Sequence, residues 1–186
     1  MIHSQNMNIC PLFATKEREK ILDYLLEHPS ERINMNGLAR KLHLSPGQIH
    51  KYITILRKAG LVEKDTIKET PLTGVLRLTH NLKRIAQTKL VDILRRGFPR
   101  VKGIGIYGSW ASGTNLEDAD LDIWLKIEKE PADENMAKMR KKLEKKLGIP
   151  VDIVIATPER LKHFQEKSDS FYFSLYHGRI LWGEGL

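Results

Sequence analysis

Residues 101–127 constrain this chain more than any other stretch. An apolar run, Val101 to Tyr107, ends in Gly108-Ser109, and Asp120-Leu121-Asp122-Ile123 follows after a short polar interval. The run predicts a strand, and Asp122 to Ile127, with Ile123, Leu125 and Ile127 alternating, predicts another. Residues two apart on a strand share a face, so Asp120 and Asp122 should point the same way. Two carboxylates held together repel unless a cation lies between them. Hard divalent cations take carboxylate and phosphate oxygens together. A Gly-Ser turn able to approach phosphate, followed by such an acidic pair, points to chemistry on a nucleotide.

The rest of this half alternates strand and helix. Asp133 to Leu147 has helical spacing, with Met136, Met139, Leu143 and Leu147 inward. Its Lys138, Arg140, Lys141, Lys142, Lys145 and Lys146 read as a solvated face. Val151 to Ile155 predicts a third strand, Pro158 to Phe164 a helix start, and Gly178 to Gly183 a short closing strand. The order defines a small α/β unit. Gly103-Ile104-Gly105-Ile106-Tyr107-Gly108 matches G-x-G-x-x-G. A dinucleotide fingerprint needs those glycines after a strand and at the opening of a helix. Here they lie inside the strand, so the match is discounted.

The first half has a different pattern. Ile21, Leu22, Leu25 and Leu26 are helically spaced behind Thr15, and Pro29 ends that segment. Asn34 can cap a short helix carrying Leu38 and Leu42. Ser45-Pro46-Gly47-Gln48 is a helix start with Ser at the cap, Pro first and Gln third. That helix buries Ile49, Tyr52, Ile53 and Leu56, and Gly60 closes it. Leu61–Lys64 and Val75–Leu78 then predict a hairpin around Pro71-Leu72-Thr73-Gly74. Asn81 to Phe98 predicts one amphipathic helix, a connector or a dimer seam, with Leu82, Ile85, Leu90 and Leu94 inward. The expected domain junction lies near Phe98, giving domains 1–98 and 99–186.

Charge follows the same division. Residues 1–100 carry 18 Lys and Arg against 9 Asp and Glu, and residues 101–186 carry 13 against 14, so the net +8 arises in the first half. This asymmetry predicts a polyanionic partner for the first half. The lone Cys10 excludes an internal disulfide or a cysteine-based zinc site, in keeping with a reducing cytoplasm. Met1 to Phe13 does not read as a signal peptide, and no run is long enough for a membrane span. A cytoplasmic protein without membrane contact is expected.

Two resemblances sharpen these readings. "LARKLHLSPGQIHKYITILRKAGLVEK" is similar to winged helix-turn-helix domains. That family places its third helix in the major groove and its wing on the backbone. The resemblance implies that Gln48, Lys51, Thr54, Arg57 and Lys58 face double-stranded DNA, with Lys64, Lys68 and Arg77 on the wing against phosphates.

"GIGIYGSWASGTNLEDADLDIWLKI" resembles the nucleotidyltransferase superfamily related to DNA polymerase beta, in its minimal form. Asp152 in "PVDIVI" matches that family's third carboxylate, and "YHGRILWGEG" its ending. The implied fold is a two-domain α+β and α/β chain, with a mixed sheet flanked by helices in the second domain. The implied activity is Mg²⁺-dependent (or Mn²⁺-dependent) transfer of a nucleoside monophosphate from a nucleoside triphosphate to an acceptor. Asp120, Asp122 and Asp152 would be catalytic and metal-binding, and Gly108, Ser109 and Trp110 nucleotide-binding. Two positions depart from the pattern. Where arginines often stand just after Gly-Ser and again two residues later, this chain has Trp110 and Ser112. Trp110 would then either stack on a base or pack inward. The alternative function is a DNA-binding transcription regulator whose transferase-like domain binds a nucleotide or a partner, antitoxin-like, beside a helical partner protein. Winged helices commonly pair on two-fold sites, so a homodimer is expected.

Overall fold

The computed structural model describes residues 10–167 and 169–186. Residues 1–9, most of the stretch in which no leader is expected, lie outside the described residues. The chain divides into two compact units, Met1–Arg77 and Leu78–Leu186.

In the first unit a 3-10 turn, Cys10–Phe13, precedes α1 (Lys16–Glu27), α2 (Met35–Leu42) and α3 (Pro46–Lys58). Local chemistry sets each start. Thr15 accepts from the Arg18 N–H, Asn34 from the Gly37 N–H, and Ser45 with Gln48 forms a reciprocal capping box. His43 takes a left-handed conformation and turns the chain from α2 toward α3. Ile21, Leu25, Leu38, Ile49, Ile53 and Leu56 are all buried in one core, and the Tyr52 hydroxyl donates to the Leu12 carbonyl at 2.8 Å.

The wing differs from the expected one. Its strands are β1 (Val62–Glu63) and β2 (Thr66–Ile67), antiparallel around Lys64-Asp65, with Lys64 at φ 54°. Val75–Leu78 is helical, inside α4 (Pro71–Thr88). Pro71 marks a helix start rather than a turn, because the Thr70 hydroxyl accepts from the Thr73 N–H at 3.1 Å and caps it. Leu72 and Leu76 then pack at helical spacing against the core of this unit. Arg77 is therefore not on the wing. It is 1% exposed, donates to the Glu69 carboxylate and to the Leu26 carbonyl, and has no surface to offer a phosphate.

The second unit begins within α4. The single helix expected over Asn81–Phe98 is broken at Lys89, which has φ 55°, and restarts as α5 (Leu90–Gly97). This segment is more than a bare connector. Ile85, Leu90, Leu94 and Phe98 are buried with Val101 and Ile104 in the core of the sheet, so the unit starts earlier than Phe98. It continues through β3 (Val101–Ile106), α6 (Gly108–Ser112), β4 (Leu121–Ile127), α7 (Asp133–Leu147) and β5 (Val151–Ala156). It closes with α8 (Pro158–Lys167), α9 (Asp169–Tyr176) and β6 (Arg179–Gly183).

The four strands lie in the order β5-β4-β3-β6, with β4 and β5 parallel and the other pairs antiparallel. On one face Ile104, Ile106, Ile123 and Leu125 pack with α5, α6 and the Met139, Leu143 and Leu147 stripe of α7. On the other, Trp124 packs with Tyr107 and Leu175, flanked by Phe164 and Phe171 of α8 and α9. No helix among the described residues is long and apolar enough to cross a membrane.

Candidate active site

Asp122 and Asp152 each occupy the second position of a strand, and the parallel register of β4 and β5 sets them directly side by side. Aligned residues of a parallel pair face the same way, about 4.8 Å apart along the hydrogen-bonding direction. Asp122 shares its face with Trp124, away from the α7 stripe. Asp120 lies just before β4 and is exposed.

The end of β3 closes over this pair. The Tyr107 N–H donates to the Asp122 carbonyl at 3.1 Å. Gly108 has φ 65°, and a Cβ there would lie 2.4 Å from Asp122 Oδ2. Only glycine meets both demands. Ser109 is half-buried at the start of α6, and the Ser112 hydroxyl bonds back to the Gly108 and Ser109 carbonyls.

The crowding has an electrostatic cost. Burial pushes the Asp122 carboxyl above its ordinary value, and the charges of Asp152 and Asp120 push it further. The Tyr107 phenol is also pushed up, chiefly by burial and then by Asp122 and Asp152. A set of all-oxygen, like-charged donors beside a glycine cradle fits a hard divalent cation in its chemistry. Yet as the side chains stand, no three Asp, Glu, His or Cys among the described residues are arranged to hold a metal ion. Asp152 is instead paired with Arg140 of α7, Nη2 to Oδ1 at 3.0 Å.

Trp110 does not reach a nucleotide. It is 2% exposed, sits in the sheet core, and donates from Nε1 to the Ala119 carbonyl at 3.3 Å. Base stacking is excluded and the packing alternative holds. Two cations that sequence patterns do not place here stand near the site. Arg140 belongs by spacing to a lysine-rich face, which carries no signal that one arginine turns to Asp152. Arg179 of β6 donates from Nε to the Ala111 carbonyl of α6 at 3.4 Å, and only the β3–β6 pairing brings it there.

In the first unit, Gln48, Thr54, Arg57 and Lys68 all have internal partners: Ser45, the His50 carbonyl, Asp65 with the Lys64 carbonyl, and Glu63. Lys51, Lys58 and Lys64 are exposed, with no ion pair among the described residues.

The sheet order, the paired aspartates and the glycine cradle define a small nucleotidyl-transfer type of fold joined to a winged helix. Comparison with known families agrees. Residues 88–176 match the nucleotidyltransferase domain and residues 18–63 the winged helix-turn-helix DNA-binding domain, so the chain carries both. Among curated proteins no relative matches.

Similar solved structures include a substituted MntA-HpeT toxin-antitoxin (21% identical, covering 52% of this chain and 72% of that one, TM-score 0.41). A toxin-antitoxin with AMP-PNP is 23% identical, covering 52% and 72%, with a TM-score of 0.40. A tri-AMPylated Shewanella oneidensis HEPN toxin in complex with MNT antitoxin is 20% identical, covering 60% and 73%, with a TM-score of 0.37.

Proposed function

We propose that this chain transfers a nucleoside monophosphate from a nucleoside triphosphate to an acceptor hydroxyl, and that its winged helix binds double-stranded DNA. The observation that carries the first part is the registration of Asp122 beside Asp152 against Gly108. Asp120, Asp122 and Asp152 would hold Mg²⁺ or Mn²⁺, which when bound neutralises charge on the triphosphate and at the reacting phosphorus. Gly108 lets the backbone approach the phosphates, and Ser109 offers its hydroxyl and N–H. Asp152 faces the acceptor and takes up its proton. The acceptor oxygen bonds to the α-phosphorus as the bond to the bridging oxygen of the β-phosphate breaks, and pyrophosphate leaves. Incubation with labelled triphosphates, Mg²⁺ and candidate acceptors tests this reading. An Asp120→Asn, Asp122→Asn chain that labels acceptors as well as the parent would refute it.

Arg140 competes with a cation for Asp152. Arg140→Ala is expected to tighten Mn²⁺ binding by up to about fivefold, the scale of a solvent-exposed ion pair. Titration of the free-Mn²⁺ electron paramagnetic resonance signal measures it without turnover.

For the winged helix, Lys51 and Lys58 on α3 and Lys64 on the wing supply the unpaired charge. Removing one lysine from a phosphate lowers the slope of log affinity against log salt by about 0.9. Lys51→Ala with Lys58→Ala should therefore flatten the duplex-binding slope by about 1.8. An unchanged slope across a KCl series would remove α3 from the interface. Two copies meeting a two-fold DNA site would appear as a dimer in light scattering.

A second reading, antitoxin-like binding or modification of a helical partner protein, is favoured by one surface. Phe173 and Tyr176 of α9 and Ile180 of β6 are each more than half exposed. Exposed apolar groups that join into one contiguous patch mark contact surfaces.

A further inference from the structure

A second cleft lies at the other end of β3 from the aspartates, on the α5 side of the sheet. Asp92, Arg95 and Arg96 of α5, Pro99, Val101 at the start of β3 and Trp182 of β6 line it, and it encloses about 440 Å³. The strand register separates it from the catalytic end. Trp182 lies opposite Ile104, on the face that packs α5, whereas Ile106 at the far end of β3 lies opposite Ile123, next to Asp122.

The chemistry of this cleft is that of an anion site with a flat platform. Arg95 and Arg96 are exposed, and neither has a carboxylate partner among the described residues, Asp92 included. The Arg95 guanidinium lies over the Trp182 ring, 4.3 Å from its centre. The contact holds the guanidinium against the indole, and Arg95 stays exposed to solvent. Lys102, by contrast, is tied to Glu128. Arginine forks match phosphate oxygens two at a time. A guanidinium plane backed by an indole is a surface on which a base can stack.

We propose that this cleft binds single-stranded nucleic acid, with a phosphate on Arg96 and a base on the outer face of the Arg95–Trp182 stack. The strand is single because a paired base has both faces covered by its neighbours. A cleft of this volume takes about one nucleotide unit. The site shares no residue with the α3 surface, which would meet duplex, and does not depend on catalysis.

The test uses the full chain carrying Lys51→Ala, Lys58→Ala and Lys64→Ala, with divalent metal chelated, so that neither the unpaired lysines of the winged helix nor the aspartates contribute. A labelled thymidylate hexamer is titrated by fluorescence anisotropy, with thymidine monophosphate and inorganic phosphate as competitors. Arg95→Ala with Arg96→Ala should weaken hexamer binding by about tenfold or more, on the scale of one base stack removed. The log–log salt slope should fall by about 0.7 for each phosphate no longer neutralised. Arg95→Lys should weaken binding severalfold while keeping the slope, since it keeps the charge and loses the planar stack. Arg96→Ala, which breaks no ion pair among the described residues, reads the phosphate contribution alone. Hexamer affinity unchanged in both Arg96→Ala and the double variant overturns the proposal. So does inorganic phosphate competing as well as unlabelled hexamer, which would make this a small-anion site, or thymidine monophosphate, which carries the one base and one phosphate that the cleft takes, failing to compete better than inorganic phosphate.

Discussion

Asp122→Asn is expected to lower nucleotidyl transfer by about a thousandfold, roughly 4 kcal/mol of lost transition-state stabilisation. The same change should make the fold slightly more stable. Asp122 is held above its ordinary carboxylate range by burial and by Asp152 and Asp120. A carboxylate with a raised folded-state pKa costs stability at every pH above that value. The cost shrinks as pH falls through it and vanishes below the unfolded-state value. Asparagine removes the charge and hence the cost. Water screens much of this half-exposed group, so the gain at pH 7 is on the order of 0.5 kcal/mol. Urea unfolding of parent and variant at pH 7 and again near pH 3.5, without metal, checks the sign: the gap should close in acid. A variant that loses activity and stability together would mean that Asp122 is structural.

Trp110→Ala is expected to destabilise the second unit by about 3–5 kcal/mol, the range for emptying a large aromatic site in a core. Its indole is packed among Ile104, Ile106 and Ile123, and its Nε1 donates to the Ala119 carbonyl. Its own carbonyl accepts from the Asn81 amide at 3.1 Å, and that amide also donates to Asn115 at 2.7 Å. The Arg84 guanidinium lies 5.3 Å from the ring centre. Removing the ring therefore opens a void and loosens the segment that holds Gly108 and Ser109. Trp110→Phe keeps most of the volume and should cost less. Chemical denaturation measures the difference. A shift in triphosphate affinity with no loss of stability would reinstate the stacking role that the buried ring excludes.

The acidic pair is legible in the sequence because period-two spacing and apolar flanks survive in any sheet, and Asp152 carries the same signature in "PVDIVI". Its partner is not legible. Nothing in a run of lysines and arginines shows which one will reach an aspartate on a strand further along the chain. The wing departs from expectation for a local reason: Thr70-Pro71-Leu72-Thr73-Gly74 contains turn residues, but a Thr cap followed by Pro equally opens a helix. Arg77 moves with it, from an expected phosphate contact to a buried guanidinium paired with the exposed Glu69 carboxylate. The break at Lys89 is hidden because the apolar residues keep nearly the same spacing on both sides of it. α9 gives a weak signal because Phe171, Tyr172, Phe173 and Tyr176 are middling helix formers.

The side-by-side register of β4 and β5 has a consequence for how this chain can change length. Strand faces alternate with a period of two, so the site depends on parity rather than on distance. The loop at 129–132, ahead of α7, can gain or lose residues and still deliver Asp152 to its place, provided α7 keeps its buried stripe and β5 pairs in the same frame. A single residue inserted between Asp152 and Ile153, with Ile153 and Ile155 kept in their places, would turn the carboxylate toward the α7 stripe and set the inserted residue beside Asp122. The loop ahead of α7 is free to drift in size, while the step from Asp152 to Ile153 admits no odd change.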